Sequence, residues 1–521
     1  MTNFKVKLLF AFSLAAFLIL TGCKDNSSGP SGPDLDIISE NVNVNPSGYA
    51  PLTALIELET ETQVSLSVTV KGINGPESDV AHAFDQTART HDIPILGLYP
   101  DMENTVELTF FNSSGTNLGT KTYNISTGPL LADLPEVEIN TADRSQMIEG
   151  LNFVSYFGHR VNGEPTPQRP FIFDSFGDIR WYLDFNSHPT LSGLFYDDGM
   201  ERLQNGNLYF GDGSTNRIYE INMLGDTVNT WDMPGYGFHH EVKEKPNGNF
   251  IVTVNKFGIS TVEDHIIEID RNSGQIVNEW DLREPLDQNR TAWDTNLADI
   301  SKDWFHANAL YYDETDNTIV VSGRTQGVVK LSENNEVVWI IAPHKEWSTS
   351  GNGTDLNQFL LRPLDAQGQE ITDQAVLDGD ENHPDFEWSW YQHAPLRMPN
   401  GNVMLFDNGD NRNYGAGSLY SRAVEYEIDE TNMTIKQAWS YGKNRGGNTY
   451  SRIVSDVDYF EDANHVFFIP GAVNSGSKYG KSIEIDYEQQ QVIFEATITP
   501  PEAAFGLITL HRTERMPIYP K

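Results

Sequence analysis

The stretches VNTW, ending at Trp231, and VNEW, ending at Trp280, decide how this chain folds. Each closes a short run rich in β-branched residues on a tryptophan. The same ending recurs as DIRW at Trp181, VVWI at Trp339, KQAW at Trp439 and, with phenylalanine, VIFE at Phe494. The six endings lie 50, 49, 59, 100 and 55 residues apart, so one unit carries an insertion, here placed at about Ala342 to Trp390. A second strand-like run precedes each ending: FIFD, IYEI, IIEI, VVKL, AVEY and SIEI. Earlier still comes a turn followed by a strand, as in NGNLYF from Asn205, NGNFIV from Asn247 and NGNVML from Asn400. Units of three or four short antiparallel strands cannot each bury both faces alone, but arranged radially they bury one another.

The expectation is therefore an all-β chain: a six-bladed β-propeller over residues 142–521, preceded by a small N-terminal β-sandwich. The segment from Leu510 to Pro517 (LHRTERMP) matches HAPLRMP, which begins the Trp439 unit. The C-terminal strand is thus expected to close the Trp181 blade. The sandwich is assigned to residues 35–130, with seven strands expected from its alternating runs. The 342–390 insertion reads as a long polar loop and candidate lid.

Residues 1–22 read as a signal peptide, with Lys5 and Lys7 ahead of the apolar stretch Leu8 to Leu20. The following Leu20-Thr21-Gly22-Cys23 is similar to the lipobox of bacterial lipoproteins, which implies lipidation at Cys23. The expected location is the cell envelope, with the chain lipid-anchored at the outer membrane and facing periplasm or surface. Residues 23–34 read as a flexible linker. Cys23 is the only cysteine, which excludes an intrachain disulfide. The net charge of −39 opposes a nucleic-acid partner and means that an anionic substrate needs a local cationic pocket. A homodimer is left open.

The chemistry is expected where first strands converge on the axis. His240, His306 and His393 hold equivalent positions, each two residues after an aromatic: Phe238, Trp304 and Tyr391. Alternation along a strand places each ring beside its histidine as a candidate substrate-binding residue. By the same alternation His239 should point away from His240, and Asn308 should share the His306 face. His511 has the register to face inward. His159, His188, His265, His344 and His465 read as surface or loop residues. Arg324, at the edge of an adjacent strand, offers a planar fork to a tetrahedral oxyanion. Three imidazoles, an amide and a guanidinium make a cradle for sulfate or phosphate.

The stretches FHHEVKEKPNGN, WFHANAL, VSGRTQGVVKL and YQHAPLRMPNGNVMLFDNG resemble the bacterial aryl-sulfate sulfotransferases. The resemblance runs from about Asp36 to the C-terminus. It implies transfer of a sulfuryl group from an aryl sulfate to a phenol without a nucleotide sulfate donor or other cofactor. It also implies His393 as the nucleophile that forms a sulfohistidine. His240, His306, Asn308 and Arg324 take the places of its sulfate-binding residues. Exchange is then ping-pong, with His306 or His240 handling the proton. Neighbouring positive charge is expected to keep His393 unprotonated.

Two other classes fit the residues. Three converging histidines could ligate a metal in a propeller lyase or hydrolase. Against this, Arg324 would repel the cation and no carboxylate shares the register of the histidines, so no metal site is assigned. The second is a non-catalytic surface propeller binding glycans or proteins.

Overall fold

A computed structural model describes residues 35–161, 164–165, 168–197, 199–290, 302–473, 478–501 and 504–520. The signal peptide, the linker and Cys23 lie outside the described residues. The architecture is all-β and built from many small sheets, because the sequence supplies short alternating runs cut by Asn-Gly and Asp-Gly turns.

The N-terminal sheet has five strands rather than seven. One long strand, Ala54–Val70, does the work expected of two. Its first half pairs with Ile37–Val44, its second half with Glu103–Phe111, and Val80–Ile95 runs along both. Register shifts between Glu59 and Leu66 break this strand into its two halves. The buried face of this sheet (Ile56, Leu66 and Val68 of the long strand, Phe110 of its neighbour) is continuous with the core of the Trp181 sheet. Arg180, fully buried, crosses between them and donates to the carbonyl of Gly97 and the hydroxyl of Tyr99.

Six further sheets follow, each carrying one of the repeated endings. The Trp231, Trp280 and Trp339 sheets are plain four-stranded antiparallel meanders. In the Trp439 sheet, Arg362–Leu364 from the insertion adds a parallel edge strand to Thr434–Tyr441. In the Phe494 sheet, Glu136–Ala142 adds an outer strand to Val492–Thr499. In the Trp181 sheet the last strand of the chain, Ala504–Met516, pairs antiparallel with Leu151–Val161.

The structure explains why the units repeat as they do. Each closing tryptophan, buried in four sheets and half-buried at Trp439, donates its indole N–H to the following sheet. Trp181 reaches the Met223 carbonyl (2.7 Å), Trp231 that of Arg271 (2.8 Å) and Trp280 that of Ser332 (2.9 Å). Trp339 reaches the Glu430 carboxylate (2.8 Å) and Trp439 the Tyr487 carbonyl (2.9 Å). The Asn-Gly-Asn turns are tied inward in the same repeating way. Asn207, Asn249 and Asn402 donate to Glu220, Glu268 and Glu425, the glutamates of the third strands. The indole donors are thus paired between repeats and the turn amides within them, which leaves neither set orphaned where the small sheets stack.

The insertion is a packed extension, not a polar loop. Leu361, Val376, Phe386 and Trp388 are buried with Trp339 and Ile435, and Trp388 donates to the Val376 carbonyl (2.8 Å). No helix among the described residues is long and apolar enough to cross a membrane.

Candidate active site

His240 lies within Tyr236–Glu244, His306 immediately before Ala307–Asp313, and His393 at the start of His393–Arg397. All three sheets break their register at this point: between Phe238 and Val242, Ala307 and Ala309, and His393 and Leu396. His240, His306, Tyr391 and Ala394 have φ of 59°, 57°, 53° and 49°. A residue in the left-handed region inverts the side-chain alternation that a regular strand imposes.

That inversion corrects several expectations. His239 does not turn away from His240. Their rings meet edge to face at 4.0 Å, and both face the same carboxylates. Phe238 and Trp304 do not stand beside their histidines. Phe238 packs tightly over Gly211 in the core between sheets, and Trp304 is buried with its indole donating to Asp264 (2.8 Å). Tyr391 does border the site, with the Arg324 guanidinium 5.3 Å from its ring centre. His511 is buried and stacks on Phe157 at 4.4 Å. His265 and His465 are buried as well, bonded to Asp264 and Glu484, because acidic partners on their own sheets offset the cost of burial. The His159 side chain lies outside the described residues.

The groups that converge form two halves of opposite character. In the acidic half, His240 Nε2 and His306 Nε2 are 3.2 Å apart, a contact that needs a proton on one of them. His306 Nδ1–H donates to Asp303 Oδ2 (2.6 Å), with Glu263 Oε2 at 2.7 Å. Burial alone would lower the pKa of His306, but the Asp303 and Glu263 carboxylates outweigh it and raise it to about 9. Asp197 accepts the His240 backbone N–H (3.2 Å), and Glu263 lies 3.0 Å from His239 Nε2. Burial opposes the charge on Asp197 and Glu263, yet the surrounding histidines hold both carboxyls below their ordinary range. No carboxylate shares the register of the histidines, yet three reach the site from loops: Asp197 and Asp303 ahead of first strands, and Glu263 between the second and third strands of the Trp280 sheet. Two groupings could hold a divalent cation, His240–Glu263–His306 and Asp197–His239–His240.

The other half is poor in negative charge. His393 is buried, and its Nδ1 faces Asn408 Oδ1 at 2.8 Å. Burial, then Arg324, then His240 and His306 drive its pKa well below the usual histidine range, against the pull of the Asn408 bond. Asn308 and Ser322 both bond the carbonyl of Gln392, the residue before His393 (2.9 and 3.0 Å). Arg324 is 2% exposed, and its Nε and Nη2 have no hydrogen-bond acceptor among the described residues. Its carboxylate neighbour, Asp410, is 3.7 Å away. Arg324 and Tyr391 also line a cavity of about 80 Å³ with Trp390 and Tyr414. A buried guanidinium with unused donors beside an uncharged imidazole is an arrangement for a tetrahedral oxyanion.

The comparisons with known proteins decide the family. Residues 136–504 match the arylsulfotransferase (ASST) model, and residues 41–128 match the arylsulfotransferase Ig-like domain. The chain belongs to the arylsulfotransferase family. Among curated members it is 29% identical to an arylsulfate sulfotransferase AssT of Escherichia coli O6:H1, over 88% of this chain and 90% of that one. It is likewise 29% identical to an AssT of Lelliottia amnigena, over 90% of this chain and 92% of that one. Among solved structures, a streptogramin B lyase aligns with 70% of this chain and 98% of its own, at 11% identity and a TM-score of 0.32. Within this arylsulfotransferase, sequence reasoning missed Asp197, Glu263, Asp303 and Asn408. Asp303 had a local signal, three residues before His306. Asn408 lies in the quoted FDNG stretch but was given no role there.

Proposed function

We propose that this chain transfers a sulfuryl group from an aryl sulfate to a phenol by a ping-pong reaction through His393, with no nucleotide donor. The observation that carries the reading is the pairing of neutral, buried His393 with Arg324, a buried cation whose Nε–H and Nη2–H lack acceptors. A sulfate ester satisfies those donors in a way no described residue does. His393 Nε2 attacks sulfur, the N–S bond forms and the S–O bond breaks. The bonding pair leaves with the phenolate oxygen, which takes a proton from the His306–His240 pair. An incoming phenol returns that proton and attacks the sulfohistidine, reversing each bond change. Arg324 and Asn308 bear the charge that develops on the sulfuryl oxygens.

The Trp231, Trp280, Trp339, Trp439, Phe494 and Trp181 sheets contact one another in that order, and the Met200 N–H just ahead of the Trp231 sheet donates to Ser155 Oγ of the Trp181 sheet, which supports a six-bladed propeller over residues 142–521. The match to an Ig-like model supports a sandwich over residues 35–130. The lipobox at Cys23 supports a lipid-anchored protein of the cell envelope, at the outer membrane. Incubation with nitrophenyl sulfate alone should release a burst of nitrophenol equal to the enzyme present, with one sulfuryl group on the His393 peptide by mass spectrometry. Release that is slow and leaves no label sinks the reading.

The His240–Glu263–His306 grouping favours a second reading, a cation-dependent hydrolase. It requires stoichiometric metal in the purified protein and loss of turnover on chelation. The transferase requires neither.

A further inference from the structure

We infer that Asn408 is a positioning residue for sulfuryl transfer, fixing the His393 ring in the one tautomer that presents a lone pair at Nε2. The inference rests on His393 as the sulfuryl acceptor.

A neutral imidazole carries its proton on either nitrogen, and only the bare one attacks. Asn408 is fully buried. Its amide nitrogen donates both hydrogens, one to the Ser451 carbonyl and one to the Val454 carbonyl, each at 2.9 Å. Turning the amide over would set its oxygen against those two carbonyls. Oδ1 must therefore face His393 Nδ1, 2.8 Å away, and an amide oxygen only accepts. Nδ1 carries the hydrogen and Nε2 is left bare.

The segment that supplies the two carbonyls is itself unusual. Val454 and Ser455 are consecutive residues with positive φ, 48° and 88°. A β-branched residue rarely takes that conformation, and it persists only where its surroundings enforce it. Here the enforcement is visible. Ser455 Oγ accepts the Gly471 N–H (3.0 Å), Ser451 Oγ accepts the Ala472 N–H (2.8 Å), and Ser421 Oγ accepts the Ser451 N–H (2.8 Å). The Trp439 and Phe494 sheets together hold a strained turn whose carbonyls orient one amide.

An amide suits this task better than a carboxylate. After attack the ring becomes an N-sulfoimidazolium with its Nδ1–H still on Asn408, so the dipole steadies the cation without taking its proton. A carboxylate would favour the charged ring before attack and block Nε2 with a proton. His306 shows the opposite choice, with Asp303 at its Nδ1. The largest electrostatic influences on His393 besides the Asn408 bond come from Arg324, His240 and His306, none of them an anion. Two histidines of one site thus receive opposite tasks from their Nδ1 partners: an amide for the nucleophile, a carboxylate for the acid.

Two variants test this, read by nitrophenol release from nitrophenyl sulfate and by mass of the His393 peptide. Asn408→Leu should lower kcat by about 10- to 100-fold with KM within about 2-fold, since Asn408 touches no substrate. Asn408→Asp should keep transfer at mildly alkaline pH but lose it as pH falls through the ordinary histidine range, where the parent stays flat. Parent-like kcat in Asn408→Leu, or a pH profile of Asn408→Asp that overlays the parent's, overturns the inference. Should Asn408→Leu fail to fold, the Asn408→Asp profile decides alone. A parent lacking the label on His393 identifies failure of the nucleophile assignment instead, before any variant is compared.

Discussion

Replacing Arg324 by Met should make the protein more stable and almost inactive. Most buried ion pairs behave otherwise: removing one partner strands the other, which costs about 3–5 kcal/mol. Asp410 would not be stranded here, because Arg452 lies 3.5 Å from it and the Tyr450 hydroxyl 3.3 Å. The loss instead relieves two buried N–H donors without acceptors, at about 1–3 kcal/mol each. Against that stands the contact with the Tyr391 ring, worth about 0.5–2 kcal/mol. The net is a stabilisation of about 3 kcal/mol at the centre of these ranges and up to about 5.5, visible as a Tm higher by on the order of 1 °C per kcal/mol in a chain this long. Catalysis moves the other way. Removing one donor to a developing oxyanion costs about 100- to 1000-fold, and Arg324 offers two together with the charge. Thermal unfolding with and without sulfate, beside transfer kinetics, reads both effects. Sulfate should raise the Tm of the parent and leave the variant unmoved, because only the parent has the site that binds it. A variant that is less stable by several kcal/mol, yet keeps turnover within about 10-fold, would assign Arg324 to structure.

Replacing His393 by Ala should abolish both nitrophenol release and the sulfuryl label, and near-normal turnover in that variant excludes it as nucleophile. Asn308→Ala should cost about 100-fold in kcat, combining a lost donor with a loosened Gln392 carbonyl; a negligible loss places its action elsewhere. The pH dependence should show an alkaline limb near 9, where His306 loses its proton. The sign follows from its raised pKa: the stabilisation it gives is complete below about 6.5 and disappears as pH rises through 9. Glu263→Gln should move that limb to lower pH, since one of the two carboxylates holding the proton is gone. A limb that does not move excludes Glu263 from that role.

The fold was legible wherever a periodic signal had a repeating physical cause. The closing tryptophans stood out because each must hand its N–H to the next sheet, and the Asn-Gly-Asn turns because each feeds a glutamate. The insertion was misread as polar because Leu361, Val376, Phe386 and Trp388 are spaced without a period, each buried by a different neighbour. At the site, the residue types were legible and the directions were not. Arg324, His306 and His393 could be chosen from strand register alone. Asp197 and Glu263 lie far along the chain from histidines they touch on neighbouring sheets, whereas Asn408 directly follows the strand paired with that of His393 and was within reach of strand register.

The directions failed for one reason, and it shows how the site is made. Regular strands would have sent His239 and His240 to opposite faces and set each aromatic beside its histidine. Instead non-glycine residues with positive φ sit at or beside this point in three sheets, at His240 and His306 themselves and at Tyr391 and Ala394 on either side of His393, at a local cost of order 1 kcal/mol or more each. A defect that recurs around the histidine in three sheets is a feature the sheets are built to carry, since a single slip would be repaired by pairing one residue along. Its effect is to turn rings out of the regular pleat toward groups on neighbouring sheets, bringing His240 against His306 and His393 onto Asn408. Restoring a regular strand at such a point would improve the sheet and scatter the site. The irregular positions and the chemistry are therefore one property of the chain, which is why alternation, reliable along the rest of each strand, is least reliable where function lies.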